Sequence, residues 1–254
     1  MLSPKLVLFF LSYYAACPCF ALFRREAEDL EEIKRVGDVL RRLNGSDPLC
    51  KLENFGTDWG THTLCAEHLH RRSCHFLSFG ISNDWSFDTH LSKINCSGLA
   101  LDPSVHLPSL LTPGVLFLKI GANSLGPVDW QSVSVPLLRR WYNHRLSALK
   151  MDCEGCEYSL SVDVSADDPL FFHHIYQLNI ELHLPRSFMA SDEHVYKLGR
   201  LFRQLRSAGH NLAHYDGGSC SPSDEALGCL PLFNNTGFPC LPGCVSLLFS
   251  RMRT

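Results

Sequence analysis

Residues 75–102 read HFLSFGISNDWSFDTHLSKINCSGLALD, and this stretch decides the fold. His75–Phe79 is a short apolar run that stops at Gly80. Asp84–Ile94 has helical character. Gly98–Leu101 is a second apolar run, stopping at Asp102 and Pro103. Strand, helix and strand in this order, with strands too apolar to alternate, predict parallel neighbours covered on both faces.

Working outward, the pattern repeats. A third strand is expected over Val115–Ile120, ending at Gly121, and a helix over Leu138–His144. A fourth strand over Leu146–Met151 ends at Asp152. A helix over Pro169–His174 and a fifth strand over Ile175–Leu184 follow. Ser191–Ala208 reads as a clear helix, with Ser191 in the N-cap position and Gly209 as its stop. Asn211–Tyr215 and Val245–Ser250 are candidate closing strands. The predicted class is α/β and Rossmann-like: a mostly parallel sheet with helices on both faces. At 254 residues the chain suits one such domain with short additions.

Upstream the sequence has a different character. Residues 24–43 carry Leu30, Ile33, Val36, Leu40 and Leu43 at helical spacing with charges between them, and Asn44-Gly45 ends the pattern. This reads as an amphipathic stem or packing helix, with a short linker to residue 49. Residues 46–73 look irregular. His62, Cys65, His68, His70, Cys74 and His75 invite a zinc reading, but their spacing fits no common zinc pattern, and no metal is expected. The expected organisation is a leader over 1–23, helix and linker over 24–49, and the main domain over 50–254.

The leader itself is an apolar run over residues 6–23, closed by Arg24 and Arg25. As a helix it would span about 27 Å, slightly less than the roughly 30 Å hydrocarbon core of a bilayer. Cys19-Phe20-Ala21 has the small-x-small form of a signal-peptidase site. A cleaved signal and a retained single-pass anchor both remain open. Twelve Cys are many for a cytosolic chain, and removal of residues 1–21 leaves an even number. Sequons at Asn44, Asn95 and Asn234 agree with a glycoprotein. Together these features indicate the secretory pathway, whether secreted or in the ER or Golgi lumen. A net charge of −3 provides no basic field, so nucleic acid is not an expected partner.

In open α/β sheets ligands bind beyond the carboxyl ends of the strands, at the switch point. The segment after the first strand, Gly80-Ile81-Ser82-Asn83-Asp84, offers a tight turn followed by a helix start. The three-glycine dinucleotide fingerprint is missing, which argues against NAD. About twenty residues further on, Asp102 ends the second strand, where a carboxylate can accept ribose hydroxyls. After the fourth strand, Asp152, Glu154 and Glu157 crowd together, and such a group needs a balancing ligand or donors. Cys153 and Cys156 form a C-x-x-C whose acidic flanks disfavour a reactive thiolate; a local disulfide or buried thiols fit better than a thiol oxidoreductase.

The segments at 78–88 (SFGISNDWSFD), 101–104 (LDPS), 149–158 (LKMDCEGCEY) and 177–183 (QLNIELH) resemble the animal methyltransferase-like protein 24 group, related to FkbM-type methyltransferases. The likeness covers roughly residues 50–250. It implies a class I fold with a seven-stranded sheet and an antiparallel last strand, and S-adenosyl-L-methionine as cofactor. By the same resemblance, Gly80, Ile81, Ser82, Asn83 and Asp84 line the methionine part, Asp102 holds the ribose, and Gly121 and Asp152 complete the cofactor set. Asp152, Glu154 and His183 are the implied catalytic candidates, with His183 the most natural base for O-methyl transfer. Glu181 and His183 match the family's Glu-x-His. Cys74 and Cys96 also resemble family positions and are expected to pair. Where the family often has an aliphatic and a small residue, this chain has Cys153 and Cys156, which alters the mouth. The acceptor could be a glycan, lipid, protein or metabolite. The rival expectation is a catalytically inactive binding protein on the same fold.

Overall fold

The computed structural model describes residues 18–43, 49–70, 73–123, 131–184, 189–217, 230–238 and 244–251. Its centre is an eight-stranded sheet. The first predicted strand is β3 (His75–Phe79), and it pairs in parallel with β4 (Ser97–Leu101) on one side and β9 (Ala148–Met151) on the other. Beyond β4 lie β6 (Val115–Leu118), parallel, and β5 (Leu110–Thr112), antiparallel at the edge. Beyond β9 lies β10 (Gln177–His183), parallel. The late strand β12 (Cys244–Arg251) runs antiparallel between β10 and β11 (His210–Gly217). The mostly parallel sheet and antiparallel last strand follow the expectation. The β5–β6 hairpin makes eight strands where seven were expected.

The two faces divide by parity along each strand. Leu77, Phe79, Leu99, Leu101, Leu149 and Met151 belong to one apolar cluster, Phe76, Ala100, Phe117 and Ala148 to the other, as the two-residue period of a strand requires. The first face is covered by α1 (Pro18–Leu43), α3 (Val135–Tyr142), α4 (Glu157–Asp167) and α5 (Asp192–Ser207). The second is covered by α2 (Ser86–Lys93) and a small hairpin, β1 (Leu52–Phe55) with β2 (His62–Cys65). The hairpin lies within the stretch expected to be irregular. It is fastened to the sheet by side-chain amides, which do the pairing a strand would do. Gln177 accepts from the Cys65 N–H at 2.7 Å and donates back to the Cys65 carbonyl at 3.2 Å, and Asn179 donates to the Thr63 carbonyl.

Helix α1 packs against the domain and does not stand away from it as a stem. Ile33, Val36 and Leu40 are buried in the core. Asp29, also buried, accepts from Arg203 at 2.9 Å, and Glu32 accepts from Arg206 at 2.8 Å. Gly199 lets the helices approach, since a Cβ there would stand 2.1 Å from the Asp29 carbonyl oxygen. Residues 1–17 of the leader, the Asn44 sequon and Cys220, Cys229 and Cys240 lie outside the described residues. Among the described residues no helix is long and apolar enough to cross a membrane.

Other differences are local. The helix expected at 138–144 begins earlier, at Val135, and ends on Asn143 in a left-handed conformation. Residues 171–174 form only a 3-10 turn, while α4 fills the preceding stretch where no helix was expected. The third strand stops at Leu118; Gly121 belongs to a separate two-residue strand, β7 (Gly121–Ala122), paired with β8 (Ser132–Val133). Cys74 and Cys96 are disulfide-bonded across the starts of β3 and β4, with Cα atoms 4.6 Å apart. Cys50 and Cys65 are also bonded. With Cys65 and Cys74 so engaged, two of the residues that invited zinc have no thiolate to offer.

Candidate functional site

The tips of β3, β4 and β9 converge around the switch in strand order. Gly80 follows β3 with a φ of +72°, a conformation glycine adopts without strain. Its N–H donates to the Leu101 carbonyl at 2.9 Å. A Cβ at Gly80 would stand 1.5 Å from the carbonyl oxygen of Asp152. The glycine is therefore required first by the close approach of two strand tips, with any ligand contact coming on top of that.

The turn that follows carries Ser82, whose N–H donates to Asp102 Oδ2 at 2.8 Å. The other Asp102 oxygen accepts from the Ser104 N–H at 2.8 Å and the Ser104 hydroxyl at 2.6 Å. Asp102 is only 5% exposed. A carboxylate has about four acceptor sites, and three are filled here. In this arrangement Asp102 has room for one ribose hydroxyl, not the two expected of it, unless the Ser104 hydroxyl turns away.

Asp152 follows β9 and is partly exposed. Its carboxylate lies 3.6 Å from Lys150 Nζ and 3.9 Å from His183 Nε2. Lys150 is buried and donates its ammonium to the Gly80 carbonyl. It thus links the β3 turn to the acidic end of β9. Around it on the second face lie His62 and Asp88. Burial, with Lys150 close by, drops the His62 pKa to about 3. Burial likewise raises Asp88 to about 6, against the pull of Lys150 and Ser78.

Between these tips lies a cleft of about 430 Å³, lined by Gly80, Ser82, Asp102, Gly121, Asp152 and Glu154, with Phe79 and Leu101 as its apolar wall. That volume falls in the range of small-molecule sites. Among the described lining residues there are three carboxylates and no Lys, Arg or His. Such a mouth favours a ligand with positive charge and repels polyphosphates. The lining also includes Ser104, Gln131 and Ser132, none of them given a role from the sequence, although Ser104 closes the LDPS segment at 101–104. Ser104 could have been found from its place two residues after a strand-end Asp.

Several expected site residues lie elsewhere. Ile81 is buried in the second-face core. Asn83 and Asp84 line a different groove, beside α2. His183 is buried and is not part of the cleft lining. Its backbone N–H donates to Glu157 Oε1 at 2.9 Å, and its Nδ1 lies 3.2 Å from the same oxygen. Burial works against charging this ring, but the bond to Glu157 and the charges of Glu157, Glu181 and Asp152 outweigh it and lift its pKa to about 9. A histidine that already holds its proton near neutrality is a poor general base, which corrects the role expected for it. Glu157, the third acid of the cluster, is buried and also accepts from the Gly155 N–H. It serves as the partner of His183.

Cys153 and Cys156 are disulfide-bonded at the cleft edge. Glu181, His183 and Cys244 bring ligand-type atoms within 4.8 Å of one another, but the Cys244 sulfur is itself in a disulfide, so the trio offers no thiolate to a metal.

No protein-family model and no curated protein matches the chain. Among solved structures it is similar to the fibrillarin pre-rRNA processing protein of Methanococcus jannaschii, at 11% identity over 72% of this chain and 69% of that one, with a TM-score of 0.37. A chain of a fibrillarin/Nop5p complex is similar at 9% identity over 71% of this chain and 74% of that one, with a TM-score of 0.38. The plantazolicin methyltransferase BpumL, solved with a monoazolic desmethylPZN analog and SAH, is similar at 10% identity over 94% of this chain and 93% of that one, with a TM-score of 0.35. Likenesses of this size leave the functional reading to the geometry of the cleft.

Proposed function

We propose that the chain is an S-adenosylmethionine-dependent methyltransferase of the secretory pathway, acting on an acceptor hydroxyl. The observation that carries the reading is the acidic cleft at the tips of β3, β4 and β9, where Gly80, Ser82, Asp102 and Asp152 meet. The acceptor set suits this cofactor better than a dinucleotide, because the cofactor carries no phosphate and its sulfonium leaves it net positive once its ammonium and carboxylate cancel. When bound, it supplies a methyl group on an activated sulfur. Asp102 accepts a ribose hydroxyl, and the Ser82 turn closes beside it. Asp152 and Glu154 stand at the mouth, where one of them can take the proton of an acceptor hydroxyl. Positioning of the acceptor accounts for most of the remaining catalysis.

The Cys50–Cys65, Cys74–Cys96 and Cys153–Cys156 bonds support an oxidising compartment. Asn95 and Asn234 are exposed and available to a glycan.

Calorimetry of the full chain with S-adenosylmethionine tests the reading. A saturable heat, absent with ATP or NAD and lost in Asp102→Ala, is expected. A second reading, a binding protein without turnover, draws on one observation: Asp102 is largely satisfied by Ser82 and Ser104. A folded chain that gives no heat with the methyl donor would favour it.

A further inference from the structure

Trp59 is 83% exposed and Trp85 43% exposed, although indoles are usually well covered. The two residues sit on neighbouring loops that are clamped together. Thr57 N–H donates to Ser86 Oγ at 2.9 Å, and Gly60 N–H donates to Asp84 Oδ2 at 2.9 Å. Gly56 N–H donates to His90 Nδ1 at 3.3 Å. The fit is close: a Cβ on Gly60 would stand 2.6 Å from Ser86 Oγ, and one on Gly56 2.1 Å from the Gly60 carbonyl. Two exposed indoles are thus carried on a rigid double loop, so little ordering entropy is lost when a ligand stacks on them.

Trp85 lines the groove beside α2 together with Thr57, Asn83, Asp84, Thr89 and His90 among others, and Trp59 stands on the clamped loop between Thr57, which lines it, and Gly60, which bonds to Asp84. Apart from the indole, its described lining contains no aliphatic or aromatic hydrocarbon side chain to receive an apolar peptide anchor. Its lining carries one Lys, Lys93, and one carboxylate, Asp84, which does not make the cationic field a nucleic-acid backbone needs. The Asp84 carboxyl is held below its usual range: burial opposes this, but the Ser86 and Gly60 amides prevail. His90 accepts a backbone N–H on Nδ1, which leaves Nε2 as the donor of the neutral ring. An indole in a groove of fixed donors and acceptors, with a second exposed indole on the adjoining loop, matches one chemistry well: a pyranose, whose C–H face stacks on indole while its hydroxyls bond at the edge.

We propose that this groove is a carbohydrate-binding subsite, with Trp59 and Trp85 as its stacking platform. The groove and the acidic cleft flank one turn, since Ser82 lines the cleft and Asn83 the groove. A glycan held there lies next to the other site, but the proposal does not depend on methyl transfer.

The test is saturation-transfer NMR on the full chain with chitotriose, mannotriose and cellotriose as probes. At least one should show saturable binding. Trp59→Ala and Trp85→Ala should each weaken it by about tenfold, the scale of an anchoring tryptophan. S-adenosylmethionine heats should be unchanged in both variants, which separates this site from the cleft. Should Trp85→Ala disturb the start of α2, Trp59→Ala alone decides the matter, because that indole is almost wholly in solvent. Silence from all three sugars, or variants that bind as the wild type does, would overturn the proposal. So would a Trp59-dependent response seen only with an apolar peptide.

Discussion

Raising the pH from 6.5 through 9 should strip the proton from His183 and lower the stability of the fold. The ring lies between Glu157, 3.2 Å away, and Asp152, 3.9 Å away. Burial opposes the charge, but these carboxylates with Glu181 hold the pKa at about 9, against 6.5 for an ordinary imidazole. The folded chain therefore binds this proton more tightly than the unfolded chain does. The stabilisation is complete below pH 6.5 and lost as the pH rises through about 9. At about 1.4 kcal/mol per unit, the displacement is worth about 3–4 kcal/mol, a large part of a typical margin of about 5–15 kcal/mol. His62 and His210, whose pKa values burial lowers to about 3, act in the opposite sense, and their effect is complete once the unfolded chain has lost its protons near pH 6.5. Urea midpoints measured across the alkaline window should fall for the wild type and stay nearly flat for His183→Gln. Parallel slopes for the two proteins would refute the reasoning, as would an NMR titration of His183 centred near its ordinary value.

Three further outcomes follow from the site and its frame. Ser104→Ala frees one acceptor site on Asp102, so S-adenosylmethionine should bind a few-fold more tightly by calorimetry, on the scale of about 1 kcal/mol; weaker binding would count against Asp102 as the ribose acceptor. Gly80→Ala forces a Cβ into the Asp152 carbonyl and should cost at least about 2–3 kcal/mol in thermal unfolding, with loss of cofactor binding. An unchanged melting temperature would contradict the tip geometry. The double variant Cys74→Ser with Cys96→Ser opens a loop of 22 residues and should lower stability by about 3 kcal/mol in urea titration. No loss would argue that the cross-link is not formed in the folded protein.

The strand order and the converging tips were legible because they rest on local patterns. Phe76, Leu77 and Phe79 make β3 mostly apolar, and Gly80, Asp102 and Asp152 each follow a strand of this kind. Helix α4 was hidden because Tyr158, Leu160, Val162 and Val164 alternate with polar residues, which mimics a strand, whereas in the fold the segment is a helix packed against α3, α5 and β10. The hairpin β1–β2 depends on amide bonds from Gln177 and Asn179, more than a hundred residues away. No local signal announces that pairing, or the Cys50–Cys65 bond inside it. The charge on His183 was missed for the same reason, since Glu157 lies 26 residues before it in the chain. Lys150 did leave a trace, as a lone cation between Leu149 and Met151 in an otherwise apolar strand. The sequence pointed to a ribose-binding role for Asp102 but could not reveal that Ser82 and Ser104 already occupy most of its acceptor sites.

The position of β12 has a consequence for how the domain is assembled. This strand is inserted between β10 and β11, which have no direct pairing with each other. Until residues 244–251 are synthesised, both strands present open backbone edges, and the buried apolar side chains of β10 lack one flank. A nascent chain in that condition is a template for mispairing with its neighbours. Closure must wait until residues 244–251 have left the ribosome, so β10 and β11 are joined only through a strand made well after both of them.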